Sequence, residues 1–258
     1  MNVFLLFLPF ATVFAGRGSV VPVAAPPKEA TKEGPISTDR PNLAESASAV
    51  AKGVTQIEVG FVRNELPEQR DLLFPFLIRY GLGSGRELWI ETDALYGTAR
   101  MLGSNGRFSD AGSAPISIGA KVRLESDRPA LGVIVRYFPA GGRGSFASDG
   151  PAGDLHLAAD AESGRWSLAT NIGVAFARDQ VPVGLAVVSV GYEVTETIGG
   201  FGEFAAAVPV RGERSLIFDT GVTWRVTNNL QLDAYVGQTL AGPGPRPFLG
   251  AGFSYRFR

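Results

Sequence analysis

With 258 residues, 24 Lys+Arg against 25 Asp+Glu and a formal net charge of −1, the chain has neither the basic field that holds nucleic acid nor an acidic tail that holds cations. It contains no Cys and one His, which excludes a disulfide framework, thiolate metal sites and the usual zinc and haem constellations, so no metal and no cofactor is expected. Glycine, at 33 residues or roughly 13 per cent against a usual ~7 per cent, suits many turns and strands packed close to neighbouring backbone.

The chain opens on an apolar run, Val3 to Ala15, that closes with Val13-Phe14-Ala15, a small residue last and Val two before it. This predicts a signal peptide over residues 1–15, although no Lys or Arg precedes the run. Gly16 to Pro35 is a mixture of Pro, Ala, Gly, Lys and Glu without period, and residues 16–52 are expected to form a flexible N-terminal segment. Within it Pro41 stiffens Asp39-Arg40-Pro41 and favours an extended Arg40. No later run of 18 or more apolar residues exists, which excludes a helical membrane span and leaves a barrel open.

From residue 53 to 258 the chain is read as one β domain. Ile116 to Leu124 puts Ile116, Ile118, Ala120, Val122 and Leu124 on one face and Ser117, Gly119, Lys121 and Arg123 on the other; a helix would mix the two sets. About twelve such strands are expected, near 54–64, 72–81, 87–97, 114–124, 129–138, 154–161, 166–177, 182–193, 198–206, 215–226, 230–237 and 248–257. Connections such as 82–86, 125–128, 162–165, 194–197 and 227–229 are short; 98–113, 140–153, 207–214 and 238–247 are longer. Short turns on one rim and long loops on the other are the asymmetry of an outer-membrane barrel, with both chain ends on the short-turn, periplasmic side. The fold class predicted is all-β, an antiparallel transmembrane up-and-down β-barrel of about 12 strands.

Alternation alone does not separate such a barrel from a soluble sandwich. Charge phase does: apart from Arg63 and Glu65 at a strand's end, strand charges fall opposite the apolar row, as they must where an Arg or Lys on the lipid face costs ~2 to 4 kcal/mol at midplane. Tyr80, Trp166, Tyr192, Trp224 and Phe257 lie on the apolar row beside short turns or the chain end, as an interfacial girdle requires. Phe61, Phe74, Tyr96, Tyr137, Phe176 and Phe248 are candidates for the opposite girdle.

The inward row supplies the candidate lumen lining: Glu58, Arg79, Glu91, Asp93, Lys121, Arg123, Arg136, His156, Asp219, Arg225, Asp233 and Arg256. Two readings stand together, solute selection and simple filling by cross-strand ion pairs. His156 shares its row with Asp154 and Asp160, but Gly-x-Ser-x-Gly does not occur and no Ser has a nucleophile-elbow context, so no catalytic residue and no enzyme is expected. Gly81-Leu82-Gly83-Ser84-Gly85 does not fit a dinucleotide loop and reads as a turn.

Several stretches in order resemble the outer-membrane barrels of the "MetA-pathway of phenol degradation" or "transporter" family. They are Ile36-Ser37-Thr38-Asp39-Arg40-Pro41, Ile78-Arg79-Tyr80-Gly81-Leu82, Ile118 to Leu124, Gly191-Tyr192-Glu193-Val194-Thr195, Leu230-Gln231-Leu232-Asp233-Ala234 and Gly250 to Phe257. The resemblance covers roughly residues 36–257. It implies an outer-membrane channel that passes small, often aromatic or hydrophobic, compounds, with outer-membrane lipid, the barrel assembly machinery and a small-molecule solute as partners. It also implies that Asp39 and Arg40 form an N-terminal latch or plug; an ordinary tether is the alternative reading of the same residues. Other functions left open are a closed structural or surface-binding barrel and, less favoured, a membrane-embedded hydrolase.

Overall fold

A computed structural model describes residues 34–103, 106–126 and 129–257. The expected signal peptide, residues 1–15, and the lead as far as residue 33 lie outside the described residues.

The strands are β1 (Thr55–Glu65), β2 (Gln69–Gly83), β3 (Arg86–Gly103), β4 (Gly106–Gly112), β5 (Ser117–Leu124), β6 (Ala130–Phe138) and β7 (Ala152–Ser163). They continue with β8 (Trp166–Ala177), β9 (Val183–Glu193), β10 (Ile198–Pro209), β11 (Ser215–Thr227), β12 (Leu230–Ala241) and β13 (Phe248–Phe257). Each barrel strand pairs antiparallel with its chain neighbour, and β1 pairs with β13 from Thr55↔Phe257 to Asn64↔Phe248. The sheet therefore closes on itself and leaves no edge. Of its 13 strands, β4 alone stands outside this ring, since β3 pairs directly with β5, which leaves twelve in the barrel.

The strand β4 corrects the expected loop over 98–113. Past Gly97 the strand β3 outruns the barrel while still pairing with β2, down to Gln69↔Met101, and its other edge would be bare. β4 covers that edge from Gly97↔Gly112 to Gly103↔Gly106. The loop 139–151 then docks on this hairpin: Asp110 Oδ2 accepts hydrogen bonds from the Ser145 N–H and hydroxyl, both at 2.7 Å, and Ser113 bridges Arg143. A Cβ on Gly97 would lie 2.8 Å from the Phe146 ring, so glycine there admits the ring.

Two-residue alternation decides the faces. Tyr80, Trp166, Tyr192, Trp224 and Phe257 are all exposed at the short-turn rim, with Trp166 and Tyr192 rings 4.6 Å apart, as expected of a girdle. Phe74, Tyr96, Tyr137 and Phe176 are exposed toward the other end. Phe248 is not among them: it sits one residue out of phase with exposed Leu249 and is buried inside against Tyr235. Among the described residues the buried apolar side chains form four small clusters: one around Ala47 and one around Ala44 of the N-terminal segment, one of Val50, Ala51 and Val54 at its end, and one of Ala175, Leu185 and Ala186 on β8 and β9.

Candidate functional site: a filled lumen

Residues 34–54 have no strand or helix, so their backbone N–H and C=O groups require partners from elsewhere. The wall of the barrel supplies them. The Asp39 and Arg40 N–H groups donate to Glu58 at 3.3 and 2.9 Å, and those of Leu43 and Ala44 to Glu203 at 2.5 and 3.1 Å. Glu45 N–H donates to Asn171 Oδ1 at 2.7 Å, Ala47 N–H to Asp160 at 2.8 Å and Val50 N–H to Glu87 at 2.6 Å. Carbonyls are met in turn: Gln56 Nε2 donates to Ser37 O at 2.8 Å, Asn171 Nδ2 to Glu45 O at 2.8 Å, and Arg256 Nη2 to Gly34 O at 2.5 Å.

These partners stand on β1, β13, β10, β8, β7 and β3, so the segment runs around the inside of the barrel. The part of the expected flexible segment that is described, residues 34–52, is packed against the wall over this whole course. Beside Ser37, Ser48 to Ala51, Gln56, Arg79 and Arg256 the space left has room for about one water molecule.

Ion pairs tie the segment down further. Asp39 lies 2.9 Å from Lys121 Nζ and 3.2 Å from Arg79 Nη1; Arg79 also reaches Glu58 at 3.2 Å and Glu87 at 2.9 Å. Burial pushes the Asp39 carboxyl up, but the charges of Arg79 and Lys121, with hydrogen bonds from Lys121 and the Ser46 N–H, outweigh it and hold the group below the usual carboxylate range. Glu45 meets Arg136 Nη1 at 2.8 Å. Arg40 reaches Asp233 at 3.4 Å, and its guanidinium occupies a notch: a Cβ on Gly60 would overlap it, and one on Gly252 would come within 2.8 Å of Nε. Gly60 and Gly252 are register partners on β1 and β13, so the missing side chains adjoin and make one recess.

The twelve sequence-predicted lumen residues fall into three groups. Glu58, Arg79, Lys121, Arg136 and Asp233 bind the N-terminal segment directly, and His156, buried, contacts Arg136 and Asp154 at 3.2 and 3.1 Å. Glu91 is 3.7 Å from Arg136, while Asp93 is exposed with its charge within reach of Arg136 and Asp154; Asp219 is buried beside Glu203. Arg123, Arg225 and Arg256 sit at the short-turn rim, where Arg225 donates to Glu196 O, Arg256 holds both Gly34 of the segment and the 228–229 turn, and the Arg123 side chain lies under Gly85. Two wall groups that carry much of the segment, Glu87 and Glu203, are additional to these. Both lie opposite exposed apolar neighbours, Leu88 and Phe204, so the same phase rule identifies them.

An edgeless antiparallel barrel, apolar outside and ionic within, defines the chain as a transmembrane β-barrel of the outer-membrane type. Its sequence matches, over residues 38–257, the family described as "Putative MetA-pathway of phenol degradation", and the chain belongs to that family. No curated protein matches it. Among solved structures it is similar to an outer membrane channel from Pseudomonas putida F1, with 14% identity and a TM-score of 0.64, covering 81% of this chain and 97% of that one. It is also similar to the KdgM porin, at 12% identity and TM-score 0.54 over 78% and 99% of the two chains. The NanC porin aligns at 7% identity and TM-score 0.55 over 78% and 98%. At these identities the likeness is one of fold.

Proposed function

We propose that this protein is a passive outer-membrane channel for small, aromatic or hydrophobic compounds, with its N-terminus at the periplasmic rim and residues 34–54 as its closure. One observation carries the reading: the wall carboxylates Glu58, Glu87, Asp160 and Glu203 accept hydrogen bonds from the backbone of a segment that belongs to no strand. Wall-to-wall pairs such as Arg79 with Glu58 and Glu87 line the interior, and the rest of the filling is a tethered peptide whose removal leaves the β-ladder unbroken and a polar bore behind. Family membership and the fold shared with channels and porins support the same reading.

The test exploits the lack of cysteine. A Cβ on Gly132 would stand 3.4 Å from the Ala47 Cβ, near the spacing of a disulfide, so Ala47→Cys with Gly132→Cys can fasten the segment to the wall. In planar bilayers the oxidised full-length protein should stay silent and the reduced one conduct. Silence in both states, in protein that migrates as a folded barrel, would favour a closed structural barrel instead.

A further inference from the structure

Arg63 and Glu65, the strand charges that stand out of phase with the inward row, are joined in the structure by two more. On β2 Asp71 is buried while Arg70 is exposed, like Phe74 on the same face; on β3 Ala99 is buried while Arg100 is exposed, like Tyr96. All four charges therefore belong to the outward face. Register sets three of them in one row: Glu65 faces Arg70 across β1 and β2, and Arg70 faces Arg100 across β2 and β3. Arg63 stands one row lower, opposite Leu72.

Like charges directly opposite each other on neighbouring strands destabilise a sheet, and an anion set between them removes the penalty. Glu65 is the acid of this row, and its Oε1 is already shared, accepting from Arg63 Nε and from Arg70 Nε at 2.7 Å each. Among the described residues Arg100 has no ion-pair partner. Three guanidiniums thus meet one carboxylate. The row also lies at the level of a membrane's charged groups. From Tyr80, in the short-turn girdle, to Arg70 on the same strand is ten residues, about 33 Å along the strand and, at a tilt of roughly 40°, about 25 Å along the membrane normal, the height of the apolar band. Just inside that level Phe61, Phe74 and Tyr96 form an aromatic strip, with successive ring centroids 5.7 and 6.3 Å apart. On β8 and β10 the outward face ends instead in exposed Phe176 and Val208, so the basic row is a local departure from the apolar band.

We propose that Arg63, Arg70 and Arg100 form a docking site on the outer wall for a phosphate-bearing glycolipid of the outer leaflet, with its phosphate among the guanidiniums and its acyl chains on the strip of Phe61, Phe74 and Tyr96. Arginine suits the role, because its planar fork takes two phosphate oxygens at once and several guanidiniums sharing one dianion no longer repel one another. The rings beneath select a lipid: a free anion would use the charges and leave the strip untouched. The site lies outside the lumen and is independent of what the channel passes.

The experiment titrates the full-length folded protein in detergent with bisphosphorylated lipid A or with phosphatidylethanolamine, whose phosphate is offset by its own ammonium, and counts bound lipid by native mass spectrometry. Lipid A should bind once per chain and more tightly than phosphatidylethanolamine. Arg70→Gln and Arg100→Gln should each weaken lipid A about tenfold or more, the worth of a hydrogen bond to a charged group. Glu65→Gln, which withdraws the competing carboxylate, should tighten it, a direction that a merely structural role would not produce and an arm that stands if an arginine variant does not fold. Arg178→Gln, an exposed arginine beyond β8, should change nothing. Equal binding of the two lipids, or lipid A binding that neither arginine variant weakens in protein migrating as a folded barrel, overturns the site. Complete displacement of lipid A by millimolar inorganic phosphate would assign the arginines to a free anion and overturn the lipid.

Discussion

Arg79 grips Glu87 through Nη2, 2.9 and 3.0 Å from its two carboxylate oxygens, and the same carboxylate accepts the Val50 N–H at 2.6 Å. One guanidinium thus presents a wall carboxylate to the segment, and through Nη1 it does the same for Glu58, which holds Asp39 and Arg40. Replacing Arg79 by Met leaves Glu58 and Glu87, both buried, without their main countercharge. Breaking such a buried pair from one side is expected to cost about 3–5 kcal/mol. Urea titration of the folded barrel in lipid should show that loss for Arg79→Met and a smaller one for Glu87→Gln, whose amide still accepts from Val50.

The Arg40 recess gives a cleaner test. The methyl of Gly60→Ala meets only the mobile end of the Arg40 side chain, so the fold is kept while the guanidinium is pushed away from Asp233. Asp233 then loses its ionic partner, a change of about 1–3 kcal/mol in the seating of the segment. The Ala47→Cys thiol should label faster in Gly60→Ala, and Arg40→Ala should do the same. Because both act through one contact, the double variant should label scarcely faster than either single one; full additivity would show that the recess is not where Arg40 acts.

The order of strands, their faces and the short-turn girdle were legible in the sequence because each rests on a two-residue period and on neighbours in the chain. The mate of Val50 is not of that kind: Glu87 lies 37 residues on, and Leu43 meets Glu203 160 residues on. An irregular segment has no period to betray which wall it faces, so Asp39-Arg40 could be read equally as tether or latch. Phe248 misled because it stands at a strand end, where one step of phase separates the girdle from the interior. Hairpin β4 was hidden for another reason: Gly106 to Gly112 is polar and Gly-flanked, and it is a strand only because β3 overruns the barrel and offers an edge.

The Asp39 contact should resist acid. Asp39 has its carboxyl held below the usual range by Arg79 and Lys121, against the upward push of burial. A depressed folded value means that its contribution is complete above the ordinary carboxylate pKa of about 3.9 and is lost only as pH falls through the lower, folded value. The share of the closure that Asp39 holds should therefore be constant from pH 7 to pH 4, so that the full-length protein and Asp39→Asn differ in conductance by the same factor over that range and converge below it as Asp39 takes up its proton and lets the segment open. Asp39→Asn, which mimics the protonated acid, should show at pH 7 part of that opening. A transition centred near pH 6 would mean that another group governs release.

The outer surface makes the last prediction, and it separates lipid from water as the medium around the barrel. Ile172 lies near the middle of β8 and is exposed, while Trp166 begins the same strand at the short-turn rim. In a bilayer Ile172→Arg should destabilise by about 2–4 kcal/mol, and Trp166→Arg by about 0–1 kcal/mol from the charge, because the penalty falls from midplane to interface. Urea unfolding in vesicles measures both. In water the order would reverse, since an exposed Ile→Arg change is nearly neutral whereas the Trp166 ring leaves its contact with Tyr192. The sign of the difference between two arginines six residues apart on one strand decides which way the apolar face of this barrel is turned.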